Sequence, residues 1–297
     1  MYYFHPGVAE KILAADRGGE DRVEVSLDLN LSEDLFQIRD HCLVLPDGKS
    51  GRSLKLDLRD LEPVASAGNK VFGFDGENLT PIEVRADGYY KLVPTSSAPT
   101  LEINGIKMHR SKDIDPLEDA RLKTGLVVRV GNNVLDTCGG LGYSALFAVK
   151  AGAKQVISTE KSHSVMRIRQ QNPWLHPRAG TWQTPEALER IRLTHTDING
   201  FIGTLPGNSF DAVIHDPPRF CSATGDLYGK VFYGQLFRVM RTGARLFHYT
   251  GSPKKIKNRD RFVRNAMKRL ESAGFGKVSF NDHLQGIYAE KARPLFP

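Results

Sequence analysis

Asn133-Val134-Leu135-Asp136-Thr137-Cys138-Gly139-Gly140-Leu141-Gly142-Tyr143 is the stretch on which the fold of this chain turns. A short apolar run ends on a carboxylate, passes through glycines and enters Ser144-Ala145-Leu146-Phe147-Ala148-Val149, a segment of helical composition. Strand, glycine loop and helix in that order let the backbone come close to a bound ligand, because glycine has no Cβ and turns freely. A dinucleotide pyrophosphate needs the following helix N-terminus free of negative charge. The carboxylate of Asp136 suits a cationic ligand instead.

Outward from this loop, apolar strands alternate with helical stretches. Strands are expected at 133–136, 155–159, 191–195, 210–215, 244–249, 277–281 and 286–290, and helices at 143–151, 162–171, 228–240 and 258–273. That alternation predicts a doubly wound, mostly parallel α/β sheet. In such sheets ligands sit beyond the carboxyl ends of the strands, and acids fall there. Glu160 closes the second strand 24 residues after Asp136, near the ~20 that separate a glycine loop from a ribose-binding acid. Asp197, with apolar Ile198 behind it, closes the third. The fourth runs into Asp216-Pro217-Pro218-Arg219-Phe220, where paired prolines stop the sheet and stiffen the loop. Asp216 is placed to orient or deprotonate an acceptor. His215 is expected to face away from Asp216, since neighbours on a strand alternate. Cys221 and His109 read more simply as a packing residue and a surface residue.

These motifs resemble class I S-adenosylmethionine-dependent methyltransferases. Asp136, Gly140 and Gly142 fall on the Asp-x-Gly-x-Gly-x-Gly pattern, with Cys138 in place of its first glycine. The resemblance implies a Rossmann-like methyltransferase sheet in which the loop through Cys138, Gly140, Gly142 and Tyr143 holds the methionine end of S-adenosylmethionine. It also implies that Glu160 binds the ribose and that Asp197 with Ile198 binds the adenine. Asp216-Pro217-Pro218 resembles the Asp/Asn-Pro-Pro-aromatic motif of enzymes that methylate planar amino groups, with Arg219 in the aromatic position and Phe220 one residue later. The catalytic set is therefore Asp216, Pro217, Arg219 and Phe220. A second resemblance is to spermidine synthases, carried by Leu101-Glu102-Ile103-Asn104-Gly105-Ile106, the glycine loop, Glu160, Asp216-Pro217 and Leu227-Tyr228…Phe232-Tyr233. It implies the same sheet, an N-terminal β domain, and aminopropyl transfer from decarboxylated S-adenosylmethionine to a small-molecule amine. Overall the chain is most similar to an uncharacterised archaeal group of predicted methyltransferases related to spermidine synthases.

Residues 1–95 read as a smaller β-rich domain. Val23, Val25, Leu27, Leu29 and Leu31 alternate with polar residues, as do Leu54, Leu56 and Leu58, the period of half-buried strands. Asp47-Gly48, Asp75-Gly76 and Asp87-Gly88 mark turns. Residues 96–125 are expected to hold a linker, a hairpin around Asn104-Gly105 and a helix opened by Asp115-Pro116; residues 126–297 form the methyltransferase domain. The first domain carries no catalytic motif and is expected to face substrate or to form a homodimer.

Of the 297 residues, 40% are hydrophobic and 25% charged, the balance of a globular protein. No apolar run approaches the ~20 residues of a membrane helix, and Met1-Tyr2-Tyr3-Phe4-His5-Pro6 has no signal-peptide character. Three scattered cysteines point to a reducing cytoplasm and away from a zinc site. The net charge of +7 admits a nucleic-acid partner. Lys254, Lys255, Lys257, Arg259, Arg261, Arg264, Lys268 and Arg269 crowd the 254–269 helix, while Phe262, Ala266 and Leu270 are spaced to face the sheet. On this basis RNA is the favoured acceptor for methyl transfer.

Overall fold

Val134 and Leu135 show how the larger sheet is built. As neighbours on one strand they point to opposite faces, and both are fully buried: Val134 packs in a cluster with Ala145, Ala148, Val149, Val156 and Ala212, while Leu135 packs with Ile198, Ile202, Val213 and Leu236. A sheet covered on both faces has continuous apolar strands, which is why these strands stand out in the sequence. The computed structural model describes residues 1–47, 51–251 and 259–292, without the side chains of Arg259 and Asp260.

The strands are β1 (Asn133–Asp136), β2 (Gln155–Glu160), β3 (Ile191–His195), β4 (Phe210–His215), β5 (Met240–Tyr249), β6 (Phe275–Asn281) and β7 (Gly286–Lys291). Their spatial order is β3-β2-β1-β4-β5-β7-β6. The first five are parallel, and β7 pairs antiparallel with both β5 and β6. The order reverses beside β1, the switch point where open α/β sheets bind ligands. Helices α1 (Pro116–Val127), α2 (Tyr143–Lys150), α3 (His163–Gln170), α4 (Ile198–Thr204), α5 (Lys230–Val239) and α6 (Arg259–Ser272) connect or precede these strands. Ala266 and Leu270 of α6 are fully buried and Phe262 is half-buried, while Arg261, Arg264 and Lys268 are exposed, as their spacing predicts. Lys254, Lys255 and Lys257 lie outside the described residues.

The chain divides into two compact units, Met1–Leu117 with Gln170–Trp174, and Glu118–Arg169 with Leu175–Pro297. The first unit holds a three-stranded and two four-stranded antiparallel sheets. Its largest apolar cluster joins Val23, Val25, Phe36, Ile38, Leu43 and Leu45 to a helix, Pro6–Arg17, that the β-rich reading missed. Val8, Ala9, Ile12 and Ala15 are the buried face of that helix, and Pro6 opens it where a missing N–H costs nothing. The alternation from Val23 also stops earlier than expected. The strand ends at Val25, and Leu29 and Asn30 take left-handed conformations with φ of 59° and 67° in a loop organised by the Asp28 carboxylate. The Asn104-Gly105 hairpin is present, with φ of 48° and 80° at its turn. Proline-rich Pro94–Pro99 connects two paired strands of one sheet, Tyr89–Val93 and Thr100–Ile103. Residues 170–174 complete this unit: the Tyr3 hydroxyl donates to the Gln171 carbonyl at 2.8 Å, and the Trp174 indole N–H to the Leu29 carbonyl at 2.9 Å.

Candidate active site

The carboxyl end of β1 delivers Asp136 into a fully buried position. Its Oδ2 accepts from the Ser158 hydroxyl at 2.8 Å, whereas Oδ1 is buried with no hydrogen-bond partner among the described residues. Desolvation is the main reason its pKa rises from 3.8 to about 6; the Ser158 bond and the Arg169 guanidinium act in the opposite direction. The loop that follows is fixed by backbone bonds from Gly139 to the Thr159 carbonyl and from Gly142 to the Gly139 carbonyl, both 2.7 Å. Gly142 caps α2 in a left-handed conformation, φ 89°, and a Cβ there would lie 2.7 Å from the Arg169 guanidinium carbon. A Cβ on Gly139 would lie 2.2 Å from the Ser158 hydroxyl. Glycine is therefore required on this loop because buried side chains press against it. Tyr143 is buried at the start of α2, and burial raises the half-buried Cys138 thiol well above its ordinary pKa.

Glu160, at the end of β2, is already tied into the loop. Its Oε2 accepts from the Gly140 N–H at 3.0 Å and its Oε1 from the Ser162 N–H at 2.8 Å. Asp197 caps α4 through the Asn199 N–H at 3.0 Å and pairs with Lys161 at 2.7 Å, in front of buried Ile198. Burial works against its ionised form, but Lys161 and the Asn199 N–H prevail and its pKa is lowered.

Past β4, Asp216 is half-buried and Pro217 buried, whereas Pro218, Arg219 and Phe220 are exposed. The Phe220 ring lies edge-on to Tyr228, centroids 5.5 Å apart, and 5.2 Å from that of Phe262 on α6. The Tyr228 hydroxyl donates to the Pro218 carbonyl at 2.9 Å, bracing the loop. Cys221 is exposed, and the Thr224 hydroxyl lowers its thiol pKa. His215, fully buried, bonds Thr137 and the Leu227 carbonyl and stacks on Phe232, so it is a packing residue. Burial lowers its pKa to about 4. Its cross-strand neighbour His248 is also buried and bonds Tyr233 at 2.8 Å.

Three charged side chains escaped the sequence reading. Lys123 on α1 bridges Asp119 at 2.7 Å and Asp216 at 2.8 Å. Asp119 and Lys123 are one helical turn apart, a visible signal, but nothing in the sequence links them to Asp216. Arg169, on α3, is buried under the loop with its Nη1 3.4 Å from both the Gly140 carbonyl and the Ser158 hydroxyl.

No protein-family model matches the chain. It is 37% identical over 302 residues to Uncharacterized protein MJ1233 of Methanocaldococcus jannaschii, a match that spans 99% of this chain and 96% of that one. The chain belongs to the MJ1233 family. Among solved structures, members of this fold include a spermidine synthase in complex with the transition state analogue AdoDATO. It aligns at 14% identity with a TM-score of 0.54, over 88% of this chain and 84% of the other. The spermidine synthase of Thermotoga maritima aligns at 14% identity with a TM-score of 0.51, over 88% and 83%. The MJ1233-family chain thus shares a fold with these two structures over 88% of its length.

Proposed function

We propose that this chain is an alkyl-transferring enzyme that takes a sulfonium nucleoside of the S-adenosylmethionine type, and that aminopropyl transfer from decarboxylated S-adenosylmethionine to an amine is its reaction. The carrying observation is Asp136, whose buried carboxylate has one unmet oxygen beneath a glycine loop at the sheet's switch point. A positive charge over that loop would relieve the cost of the buried anion. The residues present therefore fit a sulfonium ligand. When bound, such a ligand supplies an electrophilic carbon attached to positively charged sulfur.

The chain's own groups do the rest. The loop through Cys138, Gly140 and Gly142, with Tyr143, holds the sulfonium end; Glu160 accepts from the ribose hydroxyls, and Asp197 and Ile198 hold the adenine. Asp216 accepts the N–H of the acceptor amine, aims its lone pair and takes the proton as the new bond forms. Pro217 keeps Asp216 at the strand end, while Arg219 and exposed Phe220 face the incoming acceptor. Aminopropyl transfer is preferred over methyl transfer because the likeness to spermidine synthase extends over 88% of the chain. Methyl transfer from S-adenosylmethionine to RNA held by the 254–269 segment is the competing reading, supported by exposed Arg261, Arg264 and Lys268 beside the Phe220–Phe262 aromatic pair.

Calorimetry with both sulfonium nucleosides, followed by product analysis, separates these readings. Tighter binding of the decarboxylated form and release of methylthioadenosine with a diamine are expected. Tighter binding of S-adenosylmethionine with transfer of methyl to cellular RNA would replace the proposal, and failure to bind either would remove the whole class.

A further inference from the structure

Lys123 is among the most buried cations of the described residues, with its side chain 5% exposed. Lysine is almost never buried unless paired, and this one has two carboxylate partners. Asp119 stands one turn earlier on α1, its side chain also 5% exposed, and Asp216 comes from the far end of β4. The Lys123 ammonium also sits 4.0 Å from the centre of the Tyr249 ring, at the end of β5. Two carboxylates and an aromatic face use the donors and the charge of one ammonium fully. Burial alone would lower the lysine's pKa, but Asp216 and Asp119 outweigh it and raise it.

We infer that Lys123 is a positioning residue: clamped by Asp119, it holds Oδ2 of Asp216 and leaves Oδ1 as the single oxygen offered to the acceptor. This rests on the role proposed for Asp216. An ammonium between two carboxylates and against an aromatic ring is also what a diamine's charged nitrogen would need. Here the chain supplies that ammonium itself. The reacting nitrogen is then taken as a neutral amine whose N–H meets Asp216, and any charged end of the acceptor is held elsewhere.

The test uses Lys123→Met, Lys123→Arg, Asp216→Asn and the Lys123→Met/Asp216→Asn pair in the full chain. Decarboxylated S-adenosylmethionine with putrescine or 1,3-diaminopropane is the probe, and methylthioadenosine release the readout. Lys123→Met should lower kcat about tenfold or more, as expected for loss of a charge-assisted bond, with methylthioadenosine affinity unchanged. Lys123→Arg should recover part of the loss. In the Asp216→Asn background, Lys123→Met should cost nothing further, because it acts through Asp216; losses that multiply would overturn the inference. Where Lys123→Met fails to fold, Lys123→Met/Asp119→Asn keeps the cluster's net charge and replaces it. A crystal structure of the folded variant supplies an arm independent of turnover. The Asp216 carboxylate should leave its wild-type rotamer, and its staying in place would refute a positioning role. A wild type inactive on these probes would count against the proposed reaction, and the crystallographic arm would still decide the role of Lys123.

Discussion

Asp136→Asn should change how stability depends on pH. The Asp136 carboxyl holds its proton up to about pH 6 in the folded protein, because burial outweighs the Ser158 bond and the Arg169 charge. In the unfolded chain it loses that proton near 3.8. Between these values the folded state binds a proton that the unfolded state lacks, so stability falls as pH rises through the window. At 1.36 kcal/mol per pH unit the fall is about 3 kcal/mol in total. Below the window both states are protonated; above it the folded state carries a buried anion with an unmet oxygen. Asparagine cannot titrate, and any cost of its unmet amide is the same at every pH and drops out of the slope. Urea unfolding of wild type and Asp136→Asn at several pH values between about 4 and 8 measures the difference. Wild type should lose about 3 kcal/mol relative to the variant across that range. A difference that stays flat would refute the claim that burial outweighs the Ser158 bond and the Arg169 charge at Asp136. Decarboxylated S-adenosylmethionine, if its charge compensates this anion, should bind wild type more tightly as pH rises through 6, and the variant should not show that trend.

Other consequences follow from the loop and its supports. Glu160→Ala should weaken binding of either sulfonium nucleoside about tenfold or more, the value of a charge-assisted hydrogen bond; unchanged affinity in calorimetry would take Glu160 out of the site. Gly142→Ala places a Cβ 2.7 Å from the Arg169 guanidinium at φ 89°, so it should cost about 2 kcal/mol or more and abolish nucleoside binding; wild-type melting would show that Arg169 gives way. Tyr233→Phe leaves the buried Nε2 of His248 without its 2.8 Å partner and should cost about 1–3 kcal/mol while sparing nucleoside affinity. An unchanged denaturation midpoint would mean that the His248 bond contributes little.

The sheet was legible because its central strands β1 and β4 are buried on both faces and read as apolar runs between helical segments. The switch-point loop was legible because Gly140 and Gly142 follow a strand-end acid. What escaped was set by distant packing. Asp119 and Lys123 look like an ordinary surface pair on a helix, and only the meeting of α1 with the end of β4 makes them part of the Asp216 cluster. Arg169 reads as one of two arginines on α3, yet it is buried because two glycines leave the space it fills. Val8, Ala9, Ile12 and Ala15 did carry a helical period, but the β-like alternation downstream drew the whole N-terminal region into one class. Left-handed Leu29 and Asn30 end that alternation in a loop whose Leu31 and Ser32 N–H groups donate to the Asp28 carboxylate, which a hydrophobic period does not report.

The borrowing of Gln170–Trp174 by the first unit sets an order of events during synthesis. The Tyr3 hydroxyl and the Leu29 carbonyl take their partners from Gln171 and Trp174. On the ribosome, therefore, the N-terminal unit waits for the glycine loop, β1, β2 and α3 to emerge before its own hydrogen bonds are complete. Its early strands must hold together in the meantime on their own ladder hydrogen bonds and apolar packing. The same discontinuity means that an exchange of residues 1–117 alone would leave the Tyr3 hydroxyl and the Leu29 carbonyl facing a foreign 170–174 segment.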